Sequence, residues 1–222
     1  MKIDPETLLD QCDTLMLDMD GTVLDLAFDN FMWLEHVPAY YAAARSLDPE
    51  EARTALYAKF REMQGRLEWY CLDHWSDFLG IDIAGLHREQ HHRIGYLPGA
   101  RDFLERVRKR ALRVLLVTNS HAETLAIKDA ATGITQHFDA VYSSHRFGVP
   151  KERREFWEAL AAVEQFDPAR TLFIDDTAPV LASAAGYGVG MLLQIAQPDA
   201  SRPARECREF TAIEGLRALA RP

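Results

Sequence analysis

The sequence predicts an α/β protein in which a doubly wound parallel sheet carries an inserted, all-helical region. Two observations predict it. Short apolar runs, several ending on Asp or Thr, are spaced along the chain with helical patterns between them. Between residues 26 and 96 the pattern changes to helix after helix, with no strand signal. Short apolar runs bounded by polar residues suit strands covered on both faces, and strands alternating with helices build doubly wound sheets.

The first such run, Thr14-Leu15-Met16-Leu17, ends at Asp18; others cover 113–117, ending at Thr118, and 171–174, ending at Asp175. Weaker strand signals lie at 138–143 and 189–194. Helical patterns cover 100–110, 121–132, 153–164 and 179–185, with Gly133 and Gly186 placed as stops. In the insertion, Asp48-Pro49-Glu50-Glu51 makes a helix start: Asp48 as N-cap, Pro49 first and Glu51 third. That helix runs through Ala55, Leu56 and Phe60, and a second covers 67–79 before Gly80. Residues 1–25 and 97–222 are thus expected to form a Rossmann-like core and 26–96 a helical cap over the active edge of the sheet. Residues 197–205 read as a surface loop before a final short helix.

Composition bounds the partners. The formal charge of −9 lacks the basic surface that drives binding of a nucleic-acid polymer. A small phosphorylated substrate stays open, because local cations and a bound metal outweigh a distant, screened field. No apolar stretch approaches the roughly 20 residues that span a bilayer. The start Lys2-Ile3-Asp4-Pro5-Glu6 is unlike a signal peptide, so a cytoplasmic location is expected, with no membrane partner. Cys12, Cys71 and Cys207 lie far apart without CxxC spacing, which predicts reduced thiols, not a disulfide framework or structural zinc.

Ligands of doubly wound sheets sit beyond the carboxyl ends of the strands, where Asp18, Thr118 and Asp175 all fall. Asp18 and Asp20, followed by Gly21-Thr22, would repel each other without a cation. Magnesium answers that problem, since it prefers oxygen ligands and leaves room for a phosphate; Asp175 and Asp176 supply further oxygens. Phosphoryl transfer also needs donors and positive charge. Thr118 and the Asn119 backbone N–H supply the donors at a helix start, and Lys151 the charge. His87, His91 and His92 read as part of a solvated helix, not a metal site.

Asp18-Met19-Asp20-Gly21-Thr22, then Thr118, Lys151 and Asp175-Asp176, resemble in order the four motifs of the haloacid dehalogenase superfamily. The resemblance implies that Asp18 attacks phosphorus to form an aspartyl phosphate. Asp20 then serves as general acid and base. It implies magnesium on Asp18, Asp175 and the Asp20 carbonyl, with Asp176 assisting directly or through water, and a phosphoryl group held by Thr118 and Lys151. Family dehalogenases lack the second aspartate, so Asp20 points to phosphate transfer.

The stretches 24–30, 67–73 and 147–152 resemble those of bacterial GMP/IMP nucleotidases within this superfamily. Pro150 before Lys151 agrees with that group, whereas Thr177-Ala178-Pro179-Val180 lacks an Asn often found after the Asp pair. The implied substrate is a purine nucleoside monophosphate, GMP and IMP before AMP. Cap aromatics such as Trp33, Trp69 and Tyr70 are candidates to stack on the base, and Asp25 and Asp29 to contact substrate. The alternatives are a phosphatase for phosphoglycolate or a sugar phosphate, a phosphosugar mutase, and a non-catalytic binder of a phosphorylated metabolite.

Overall fold

The computed structural model describes residues 5–219, so the polar start of the chain lies largely outside it. Six parallel strands form one sheet among these residues: β1 (Thr14–Leu17), β2 (Arg113–Thr118), β3 (Ala140–Ser143), β4 (Thr171–Asp175), β5 (Met191–Ile195) and β6 (Ala212–Ile213). Their order is β3-β2-β1-β4-β5-β6. Central β1 pairs with both β2 and β4, placing Leu15 opposite Val114 on one side and Leu172 on the other. The chain winds outward in one direction and then the other, so a crevice opens at the carboxyl ends of β1 and β4.

Side-chain alternation explains why the strands read as continuous apolar runs. Leu15 and Leu17 pack on one side of the sheet with Leu116, Leu172 and Ile174. Met16 packs on the other with Leu115, Val117 and Phe173. Both faces are covered, so no polar face is left to reveal the period of two. The two-residue β6 was not among the expected strands; it is too short to carry a pattern.

The helices are α1 (Pro5–Gln11), α2 (Ala27–Phe31), α3 (Val37–Arg45), α4 (Pro49–Met63), α5 (Leu72–Leu79), α6 (Ile83–Glu89), α7 (Ala100–Val107), α8 (Ala122–Thr132), α9 (Arg154–Ala161) and α10 (Ala178–Tyr187). Gly133 ends α8 at φ +66°, as expected. Gly186 does not end α10, which continues to Tyr187 and stops at Gly188, at φ +121°. The final short helix is a 3-10 turn, Leu216–Leu219.

Helices α2 to α6, with a π-helical turn at Met32–His36, hold an apolar cluster of their own that includes Phe28, Met32, Leu56, Phe60, Trp75 and Ile83. Asp48 caps α4 by accepting from the N–H groups of Glu50 and Glu51 at 2.9 and 3.0 Å. The single helix expected over 67–79 is broken. A 3-10 turn, Leu67–Tyr70, is followed by extended Cys71 (φ −94°, ψ 113°) and then α5. The buried Trp75 indole N–H donates to the Trp69 carbonyl at 2.9 Å, an acceptor that an unbroken helix would have given to the Asp73 N–H. His87 is also not solvated. It is buried between Phe28 and Trp33, its Nδ1 at 2.8 Å from the Ile83 carbonyl, while His91 and His92 stay exposed.

Candidate active site

Asp18 stands at the end of β1, its N–H donating to the Ile174 carbonyl at 3.0 Å. The chain then turns tightly, with Leu24 N–H on the Met19 carbonyl at 2.8 Å. Gly21 adopts φ +85°, and a Cβ there would lie 2.9 Å from Cγ of Asp176. Only glycine accepts both the left-handed backbone and that approach. The turn therefore brings the carboxyl ends of β1 and β4 together.

Oxygens of Asp18, Asp175 and Asp176 lie within 4.8 Å of one another, and all three residues are buried. The Lys151 ammonium sits among them, donating to Asp18 at 2.5 Å, Asp175 at 2.8 Å and the Val117 carbonyl at 3.0 Å. Burial pushes the Asp18 carboxyl well above its ordinary value against the pull of Lys151, with Asp175 adding to the rise. Burial likewise pushes Asp176 up to about 7, helped by Asp175 and opposed by Arg205. Burial works against the Lys151 ammonium, but Asp175 and Asp18 overcome it and raise its pKa. Asp175 is further held by the Thr177 hydroxyl and N–H, at 2.5 and 2.8 Å.

Asp20 accepts from the Ser120 hydroxyl and the Lys128 ammonium, both at 2.6 Å. Lys128, fully buried, also donates to Asp29 at 2.7 and 2.8 Å. Burial raises Asp29 to about 6 despite this partner. Asp29 thus reaches the same polar network as Asp20. Asp25 does not: its carboxylate accepts from the N–H groups of Ala27 and Ala200 at 2.9 and 3.2 Å, holding the start of α2 against the tail loop.

The Thr118 hydroxyl accepts from the Ser120 N–H at 3.0 Å. The Asn119 side chain accepts from the Lys151 N–H at 2.9 Å and donates to Glu152 at 3.0 Å, so it fixes the loop that carries Lys151. Ser120, Lys128 and Arg205 were not picked out in the sequence. Lys128 had only a weak signal, its place one helical turn after Thr124; that both are buried is seen in the structure alone. Arg205, 3.0 Å from Asp176, had none, because the tail loop brings it back across the sheet.

Fully ionised, Asp18, Asp20, Asp29, Asp175 and Asp176 outnumber Lys128, Lys151 and Arg205 by two charges. The donor set is all oxygen and the deficit is that of a divalent cation, so the residues fit magnesium. The site opens into a cavity of about 570 Å³. Asp20, Ser120 and Asp176 line one end, and Trp33, Phe60 and Trp69 another wall. Among the described residues no helix is long and apolar enough to cross a membrane.

The haloacid dehalogenase-like hydrolase family model matches residues 12–188. The chain is 37% identical over 207 residues to the GMP/IMP nucleotidase YrfG of Escherichia coli (strain K12), covering 93% of each. It is similar in fold to an HAD phosphatase from Thermococcus onnurineus, at 18% identity, a TM-score of 0.77, and coverage of 93% of this chain and 95% of that one. An L-2-haloacid dehalogenase from Xanthobacter autotrophicus aligns at 17% identity with a TM-score of 0.62, over 94% and 97%. The chain belongs to the haloacid dehalogenase-like hydrolases, and within that family it is a phosphatase.

Proposed function

We propose that the enzyme is a magnesium-dependent phosphomonoesterase that hydrolyses purine 5′-nucleotides, GMP and IMP before AMP, through an aspartyl phosphate on Asp18. One observation carries the reading: a single cavity joins Asp20 and Asp176 to an aromatic wall from the helical insertion. Its volume of about 570 Å³ accommodates a nucleotide, whereas a two-carbon phosphate ester would leave the aromatic wall without contact. The likeness to YrfG along nearly the whole chain supports the same substrate class.

In this reading residues 26–96 are the cap, and their aromatic rings cover the base while β1 and β4 present the phosphate to Asp18. Magnesium would be held by Asp18 and Asp175, by the Asp20 carbonyl, and by Asp176 directly or through water. When bound, it offsets charge on the transferring phosphoryl group. Lys151, the Thr118 hydroxyl and the Asn119 N–H hold the phosphoryl oxygens. The Asp18 carboxylate attacks phosphorus, and the bond from phosphorus to the sugar oxygen breaks. Asp20, aimed by Ser120 and Lys128, gives its proton to that departing oxygen. It then takes a proton from the water that attacks the aspartyl phosphate, and phosphate leaves as the Asp18 carboxylate re-forms. A cytoplasmic setting is in keeping with three unbridged cysteines.

Phosphate release from GMP, IMP, AMP and phosphoglycolate, with and without magnesium, tests the proposal. GMP and IMP should be turned over fastest, chelation should stop release, and Asp18→Asn should reduce it to background. Equal or faster turnover of phosphoglycolate would overturn the nucleotide assignment. An active Asp18→Asn variant would overturn the nucleophile.

A further inference from the structure

Away from the carboxylates, three donors from separate segments converge at the seam between the insertion and the sheet. Cys71 lies at the break before α5, His121 at the start of α8, and His145 in the 3-10 turn Ser144–Arg146 after β3. The Cys71 sulfur and one ring nitrogen from each histidine lie within 4.8 Å of one another. The two imidazoles stand edge to face, with centroids 5.0 Å apart.

Each histidine also carries a ring nitrogen without a partner. Nδ1 of His121 and Nε2 of His145 are buried with no hydrogen bond, a costly state for a polar atom. A carboxylate and a backbone segment stand near the rings. Nε2 of His121 faces the Asp73 carboxylate at 3.8 Å, and the Asn119 backbone lies near the His145 ring. This is how metal-binding histidines are oriented: one nitrogen is held by a carboxylate or backbone group, and the other is presented to the ion.

We propose that Cys71, His121 and His145 form a second metal site, selective for zinc-class ions and distinct from the carboxylate site. A thiolate with two imidazoles favours zinc over magnesium, which takes oxygen ligands. Tetrahedral zinc spaces its nitrogen and sulfur ligands about 3.3–3.7 Å apart, so modest side-chain rotations close the present spacing. The fourth position stays open to water. Binding displaces the Cys71 thiol proton to solvent and leaves both histidines neutral.

Occupancy would tie the insertion to the catalytic loop. His121 follows Ser120, which donates to Asp20, and His145 follows Ser144, whose hydroxyl reaches the carbonyl of Asn119 at 3.5 Å, the residue that fixes Lys151. Near them the Tyr70 hydroxyl donates to Glu152 at 2.6 Å. The metal would therefore add a latch where the insertion already touches the phosphate-binding side of the sheet.

The test is metal titration of the intact, chelator-stripped chain. Zinc should bind with a stoichiometry near one in the presence of excess magnesium. Cobalt should give a thiolate-to-metal charge-transfer band and the intense visible absorption of a tetrahedral centre. Cys71→Ser should abolish the charge-transfer band, His145→Ala should abolish tetrahedral absorption, and Asp73→Asn should weaken zinc about 10- to 100-fold. Cys207→Ser and Asp175→Asn should leave the band in place. Near-ultraviolet dichroism of each stripped variant separates lost ligation from lost folding. If wild type shows no charge-transfer band, or Cys71→Ser keeps it, the site does not exist as proposed. Because the readout is spectroscopic, it is independent of which ester the enzyme hydrolyses.

Discussion

Lys128 shows how much one buried residue can govern. It is the shared ammonium of Asp20 and Asp29, and α8 carries it to a buried position beside these two half-buried carboxylates. Lys128→Met should destabilise the fold by about 1–3 kcal/mol in urea denaturation, because two half-buried carboxylates lose their shared counter-charge. It should also lower kcat/KM on the preferred nucleotide, since Asp20 loses one of its two aiming donors. Adding Asp29→Asn should recover part of the stability but not the activity. His87 makes the opposite pH statement. Burial drops its pKa to about 4, so the folded protein refuses a proton that the unfolded chain accepts below its ordinary 6.5. The stabilisation is complete above pH 6.5 and is lost as pH falls toward 4, amounting to about 3 kcal/mol. Denaturation of wild type and His87→Leu at pH 7.5 and pH 4.5 should therefore differ by an acid-dependent amount that the variant lacks.

At the scale of elements, the turn after β1 is the tightest requirement. Gly21→Ala would place a methyl 2.8 Å from Pro198 Cβ and 2.9 Å from Asp176 Cγ at φ +85°. The expected loss is about 2–4 kcal/mol of stability, together with most of the activity, from pushing the Asp176 carboxylate, just past β4, out of the site. Differential scanning calorimetry and phosphate release check the two effects. Several element boundaries were readable because their signals are local: Asp48 with Pro49 opened α4, and Gly133 closed α8. The break at Cys71 was not: it frees the Trp69 carbonyl for the Trp75 indole, and the direction a buried indole takes is not written in a helical pattern. The Gly186 stop failed for a related reason: a glycine is tolerated inside α10, and Gly188 adopts the positive φ.

Across the whole molecule, polar contacts between insertion and sheet include Lys128 with Asp29, Asn30 with Asp199 at 2.7 Å, Arg88 with Glu123, and Tyr70 with Glu152. The last lies beside Lys151, so Tyr70→Phe should loosen closure over substrate. We expect kcat/KM to fall about 2- to 13-fold, the roughly 0.5–1.5 kcal/mol worth of one typical hydrogen bond, with little change in thermal stability. Steady-state kinetics against a melting curve separates the two.

By itself the sequence determined the parallel α/β core and the membership of Asp18, Asp20, Lys151 and Asp175 in one set of motifs, because short strands end where chemistry is presented and motif order survives in one dimension. Tertiary structure alone decided which groups surround them. Lys128, Ser120 and Arg205 reach Asp20 and Asp176 from α8, a loop and the tail, while Asp25 turns instead to backbone N–H groups. The Cys71, His121 and His145 cluster belongs to the same class: its ligands are 50 and 24 residues apart in sequence, and no spacing rule spans such gaps. Burial and long-range approach set these contacts, and neither is a property of a local stretch of chain.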